Sequence, residues 1–85
     1  MKTKMTINDN IFGKRTVKEA FEYYKKYYEK YDFIFDEENE DCYKIFDRKV
    51  KLNVGDELLF YGLQKVEWKV YDFFNDTMEY SLVEA

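Results

Sequence analysis

Few residues in this chain could do covalent or acid–base chemistry. Its 85 residues include no His, and Ser81 and Cys42 are the only serine and the only cysteine. Without His there is no Ser-His-Asp or Cys-His arrangement to generate a nucleophile. Cys42 follows Asp41, and a neighbouring carboxylate raises a thiol pKa and suppresses the thiolate. Glu37 and Glu40 are a carboxylate pair of the kind that can perform general acid–base work. They belong to the run Asp36 to Asp41, DEENED, which reads as a solvated turn where nothing would shift a carboxyl pKa. An enzyme is therefore not expected.

Metal and cofactor chemistry lack their residue types. A transition-metal site normally draws on His or several Cys. Calcium needs clustered oxygens in a set order. If Asp36 began an EF-hand loop, its sixth position would be Asp41 where Gly is needed, and its twelfth Asp47 where Glu belongs. The three glycines, at 13, 55 and 62, make neither a P-loop nor a dinucleotide fingerprint. No metal and no cofactor is expected.

What remains is recognition. The chain holds nine Tyr, eight Phe and one Trp, more aromatic surface than so small a core can hide. Rigid amphipathic rings left outside are favoured interface residues. Tyr23 and Tyr27 sit on the flank of a helical stripe, and Tyr43, Tyr61 and Tyr71 are similar candidates on strands. Charge is divided along the chain. Residues 1–31 carry eight Lys/Arg against four acids, and residues 32–85 carry fourteen acids against six bases. The acidic candidates are Asp36, Glu37, Glu38, Glu40, Asp41 and Asp47, then Glu67, Asp72, Asp76 and Glu79. Carboxylates spaced along a sheet and turn can imitate a phosphate backbone and steer the protein onto a basic groove. The opposite surface would use Lys14, Arg15, Lys25, Lys26 and Lys30. There lysines neutralise phosphate and interleaved tyrosines stack bases. A sequence pI near 4.8 disfavours that second reading.

These side chains need elements to hold them. Thr16-Val17-Lys18-Glu19 fits a capping box. Val17, Ala20, Phe21, Tyr24, Tyr28 and Tyr31 then recur at helical spacing, which predicts an amphipathic helix over 16–31. Met1 to Ile7 alternates loosely and suggests a short strand. Residues 33–35 fit helix or strand equally. From Cys42 the period becomes two. Strands are expected over 42–52, 57–61, 65–74 and 78–84, with turns at 53–56, 62–64 and 75–77. In the third of these strands Val66, Trp68 and Val70 should share one face, with Lys65, Glu67 and Lys69 opposite.

The expected fold is α+β in a single domain, residues 1–85: one helix packed on an antiparallel β-meander of three to five strands. Val54-Gly55-Asp56 followed by Trp68-Lys69-Val70 resembles hairpins of small SH3-like barrels. That likeness implies, as the alternative, such a barrel with an N-terminal helix. A chain of this length hides only about 60–65% of its unfolded surface, so each aromatic placed inward counts. No apolar run approaches the roughly 18 residues of a membrane span, and the first ten residues lack the apolar stretch of a signal peptide. A lone Cys fits a reducing compartment, so a cytoplasmic protein is expected. Abundant Phe, Tyr, Ile, Asn and Lys point to an AT-rich genome, that of a low-GC bacterium or one of its phages.

In size, charge and composition the chain is similar to small phage-encoded inhibitors, including anti-CRISPR and DNA-mimic proteins. The resemblance implies a non-enzymatic protein-binding module that occludes a larger basic, nucleic-acid-handling protein. The alternatives are direct nucleic-acid binding through the Lys/Tyr helix, or a homo-oligomeric structural module.

Overall fold

The computed structural model describes residues 1–7, 19, 34–36, 38, 41–60 and 62–85. Among these residues six strands form one sheet: β1 (Lys2–Ile7), β2 (Ile34–Asp36), β3 (Asp41–Phe46), β4 (Glu57–Leu59), β5 (Leu63–Asp72) and β6 (Thr77–Glu84). Their order across the sheet is β2-β3-β1-β6-β5-β4.

This corrects the expected α+β architecture. The described residues contain no helical element, and the sheet is mixed rather than an antiparallel meander. The helix expected over 16–31 lies outside the described residues, Glu19 apart. The overturning feature is β1, which pairs parallel with β6 in a register running from Lys2↔Thr77 to Ile7↔Leu82. Local connections make β2–β3, β4–β5 and β5–β6 antiparallel. Nothing local dictates that the first and last strands should meet at the centre. Strand β1 also pairs antiparallel with β3, Thr3 opposite Phe46 and Ile7 opposite Cys42.

Alternation along these strands defines an inner face. Thr3, Met5 and Ile7 of β1 are buried, as are Cys42 of β3, Tyr80 and Leu82 of β6 and Val66 of β5. Met5, Val66, Tyr80 and Leu82 form the core cluster, against which Phe46, Val50, Leu52, Leu58, Phe60 and Met78 pack. The sheet is strongly rolled. In a flat sheet β3 and β4 would lie about 19 Å apart, four inter-strand spacings. Yet the rings of Phe46, at the end of β3, and Phe60, just past β4, meet edge to face with centroids 6.0 Å apart. The rolling stops short of the barrel alternative, because among the described residues no ladder joins β4 back to β2 or β3.

A strap, residues 47–56, covers the inner face where the sequence pattern predicts a continuing strand to Leu52. Side chains take the place of ladder partners. The Thr3 hydroxyl donates to Arg48 O (2.7 Å) and accepts from Val50 N (3.1 Å). The Tyr80 hydroxyl donates to Val50 O (2.7 Å) and accepts from Leu52 N (3.1 Å). The strap ends in a turn closed by Asp56 N donating to Asn53 O (3.0 Å). Its third residue, Gly55, has φ +94°, the left-handed position that a type II turn reserves for Gly. The chain then bonds back to β5 through Gly55 N to Val66 O and Val66 N to Asp56 O.

Strand β5 departs from simple alternation. Val66 pairs with Leu82 and Trp68 with Ser81, so two residues of β5 advance against one of β6. Glu67 is the extra residue of a β-bulge, and every side chain after it changes face. Val66 points into the core, whereas Trp68 and Val70 point outward and are each 47% exposed. Lys69 and Tyr71 come round to the strap side, opposite Tyr80 and Met78. The expected common face of Val66, Trp68 and Val70 is thereby broken.

The pinning hydrogen bonds give a direct test. Tyr80→Phe keeps the ring but leaves Val50 O and Leu52 N without the hydroxyl they share. A loss of about 1–3 kcal/mol is expected from urea unfolding, with faster amide exchange at Leu52 than at Val66. An unchanged midpoint would show that the strap holds without this hydroxyl.

Candidate functional site

The hairpin joining β5 to β6 places its two most hydrophobic residues in solvent. Phe73 is 78% exposed and Phe74 95%, and their rings meet edge to face with centroids 5.9 Å apart. At roughly 200 Å² per ring side chain the pair shows on the order of 350 Å² to water. That is comparable with the largest, commonly functional apolar patch on a small monomer.

The tip is held from beneath by polar groups. Asp72 Oδ1 accepts from Phe74 N (3.2 Å) and Asn75 N (3.3 Å), and its Oδ2 from Asn75 Nδ2 (2.7 Å). These are the local bonds by which Asp favours turns over continued strand. Asp76 takes a left-handed φ of 47°, which Asp tolerates better than most residues. Its carboxylate accepts from the Tyr71 hydroxyl and lies 3.4 Å from the Met1 amine. Lys2 N donates to Asp76 O (3.0 Å), and Thr77 Oγ1 to Asn75 O (3.0 Å). The turn's two carboxylates are thus engaged within the hairpin and with Met1, while both rings stay in solvent.

These bonds polarise the titrating groups. Hydrogen bonding by the Asn75 side chain holds Asp72 below the usual carboxylate range, and the Tyr71 hydroxyl does the same for Asp76. Reciprocally, its bond to Asp76 pushes the Tyr71 phenol up. Both aspartates stay ionised through the physiological range.

The remaining acidic candidates divide between the ends of the sheet. Asp47, Asp72 and Asp76 lie at the end where β1 begins. Asp36, Glu38 and Asp41 lie at the end where β1 finishes, a strand length of about 17 Å away. Asp36 and Asp41 face one another across the β2–β3 ladder. Burial, and then the charge of Asp36, push the Asp41 carboxyl up, with Lys4 opposing. Asp36 Oδ1 caps the following turn by accepting from Glu38 N (3.1 Å). Glu67 is the exposed bulge residue. Glu79 is engaged with Lys4 (3.2 Å) on the outer face, where the Lys4 ammonium also sits 4.2 Å from the Tyr43 ring centre. Glu37, Glu40, Tyr23, Tyr27 and Tyr61 lie outside the described residues. So do Lys14, Arg15, Lys25, Lys26 and Lys30.

Phe73 and Phe74 escape a reading based on period two, which runs the strand through Phe74. The signal that marks them is their setting, Asp72 before and Asn75-Asp76 after, a set of turn formers that closes the strand at Asp72, two residues earlier. Cys42 is fully buried. Its thiol is pushed up to about 12, first by burial and second by Asp41. Among the described residues no group of three or more Cys, Asp or Glu is gathered to hold a metal ion. Nor is any helix there long and apolar enough to cross a membrane.

Two measurements follow. The depressed Asp72 and Asp76 contribute order that is present above the ordinary carboxylate value of 3.8 and lost as pH falls through their lower folded values. Amide signals of Phe74 and Asn75 should therefore hold steady from pH 7 to 5 and move only in more acid solution; movement near neutrality would contradict the clamp. For Cys42, a thiol raised from 9.0 to about 12 has roughly a thousandfold less thiolate at pH 8. Native protein should resist iodoacetamide for hours, while urea-unfolded protein reacts within minutes. Comparable rates would place the thiol in solvent. No protein-family model, no curated protein and no solved structure matches this chain.

Proposed function

We propose that this chain is a non-enzymatic protein-binding module, a small inhibitor that docks on a basic, nucleic-acid-handling protein and occludes its working surface. The observation that carries this reading is the pair of exposed rings, Phe73 and Phe74, on a turn whose two carboxylates are already engaged. A rigid anchor loses little conformational freedom on binding, so more of its buried area is retained as affinity. Large rings desolvated at the centre of a contact commonly dominate its energy.

The target's charge is inferred from the carboxylates. Asp72 and Asp76 flank the rings and keep their charge, Asp47 lies at the same end of the sheet, and residues 32–85 carry fourteen acids against six bases. Such a surface attracts a basic partner over a Debye length. The fitting partner presents an apolar socket rimmed by Lys or Arg. Occlusion of that socket needs no chemistry from the inhibitor.

The test compares wild-type protein with a Phe73→Ser/Phe74→Ser double variant on nuclease-treated lysate of a low-GC bacterium, eluted with a salt gradient. Both side chains are exposed, so the melting temperature should be unchanged or slightly higher. The wild type should retain a stoichiometric basic nucleic-acid-handling protein released by moderate salt. The variant should retain at least tenfold less. Equal retention by both would exclude the hairpin tip as the contact. Recovery of nucleic acid alone would overturn the reading in favour of direct binding, and a concentration-dependent mass in light scattering would do so in favour of self-association.

A further inference from the structure

A second surface, beside the strap, has the opposite charge. The chain carries eighteen Asp/Glu against fourteen Lys/Arg, yet three lysines and no Asp or Glu line a groove there. A groove of about 480 Å³ runs between the strap and the strap-facing residues of β5 and β6, with Lys49, Lys51 and Lys69 on its walls and Val50, Leu52 and Met78 among its lining. Lys69 Nζ is fixed by two neutral acceptors, Leu52 O (3.3 Å) and Asn53 Oδ1 (3.4 Å). Neither Lys49 nor Lys51 is in the ion pairs seen near the groove, where the Met1 amine, also in the lining, pairs with Asp76. An anion seated in such a groove is attracted by each ammonium group that lines it. Compact ammonium groups suit phosphate oxygens as point charges. The volume falls within the range of small-molecule sites, about 300–1,000 Å³, which combine an apolar lining with a few placed polar groups.

We propose that this groove binds an organic phosphate of about mononucleotide size, its phosphate on Lys49, Lys51 and Lys69 and its apolar body on Val50, Leu52 and Met78. The chemistry is common to a free nucleotide and to a nucleotide within a single strand. The groove adjoins the hairpin turn through Met1, whose amine pairs with Asp76, but neither Phe73 nor Phe74 lines it, so its binding is tested independently of the rings.

The experiment is an amide NMR titration of the full chain with AMP, pyrophosphate, adenosine and a deoxyadenosine hexanucleotide. AMP should shift residues 49–53 and 78 saturably, pyrophosphate the same residues more weakly, and adenosine none. Lys51→Gln should weaken AMP roughly tenfold, the effect of losing one charge-assisted contact. Lys65→Gln, an exposed lysine outside the groove, should leave AMP binding unchanged, as should Phe73→Ser/Phe74→Ser. A hexanucleotide tighter than AMP at these residues identifies the strand as the source, and one no tighter identifies the free nucleotide; either supports the site. Shifts scattered over all surface lysines, equal losses in the Lys51 and Lys65 variants, or adenosine binding as well as AMP would overturn it.

Discussion

The Tyr80 hydroxyl is the constraint on which the rest of the inner face depends. Its ring is part of the buried cluster with Met5, Val66 and Leu82, while its oxygen bonds both Val50 O and Leu52 N. One side chain therefore fills the core and holds the segment that covers it. Thr3, two residues before Met5 on the same face of β1, repeats the arrangement at Arg48 and Val50. Segment 47–56 has few ladder bonds of its own, and a single sheet of short strands needs a cover to be stable. Four side-chain bonds to two buried residues supply what the ladder does not. Buried hydroxyls that lose their partners are costly, which favours the strap seated with its bonds made.

The bulge at Glu67 determines what the outside of the molecule offers. Without it Val66, Trp68 and Val70 would all enter the core, and Lys69 and Tyr71 would face away from the strap. With it, Trp68 and Val70 flank the outer face beside the Lys4–Glu79 pair. Lys69 reaches the strap carbonyl of Leu52, and Tyr71 reaches Asp76 under the hairpin tip. One inserted residue thus equips both candidate surfaces, the basic groove and the clamped aromatic turn. A bulge also increases local twist, which is consistent with a sheet rolled far enough for Phe46 to touch Phe60.

Much of the strand content was legible in the sequence, because period-two alternation from Cys42 onward follows from burying one face. The topology was not. The parallel pairing of β1 with β6 joins residues 75 positions apart, such as Lys2 and Thr77, and no local pattern encodes a contact of that range. The strap carries the pattern of a strand, because Val50 and Leu52 alternate with Lys49 and Lys51 as a strand's residues would. The groups that distinguish the two, Thr3 and Tyr80, lie elsewhere in the chain. The bulge was invisible for a similar reason: alternation of Val66, Trp68 and Val70 with charged residues fits either register, and the register is set by β6. At the site, aromatic surplus and acidity were readable from composition. The choice of Phe73 and Phe74 over the tyrosines required knowing which residue the turn begins at.

The two edges of the described sheet leave little backbone open to pairing. An exposed edge strand is a template for pairing with any other chain. Here the outermost strands of the described sheet, β2 and β4, are each three residues long. Asp36 and Asp41 put like charges opposite one another where β2 ends, which disfavours adding a further strand there. Glu57 stands at the start of β4, and Gly62, with φ +103°, turns the chain back just past its end. Such edges offer little to β-augmentation, whereas the longest hairpin of the fold, β5 with β6, projects its rings beyond the ladder. Affinity placed in two aromatic side chains on a closed turn is specific to a socket of matching shape. The same affinity placed in an open edge would be available to every extended peptide, including a second copy of this chain.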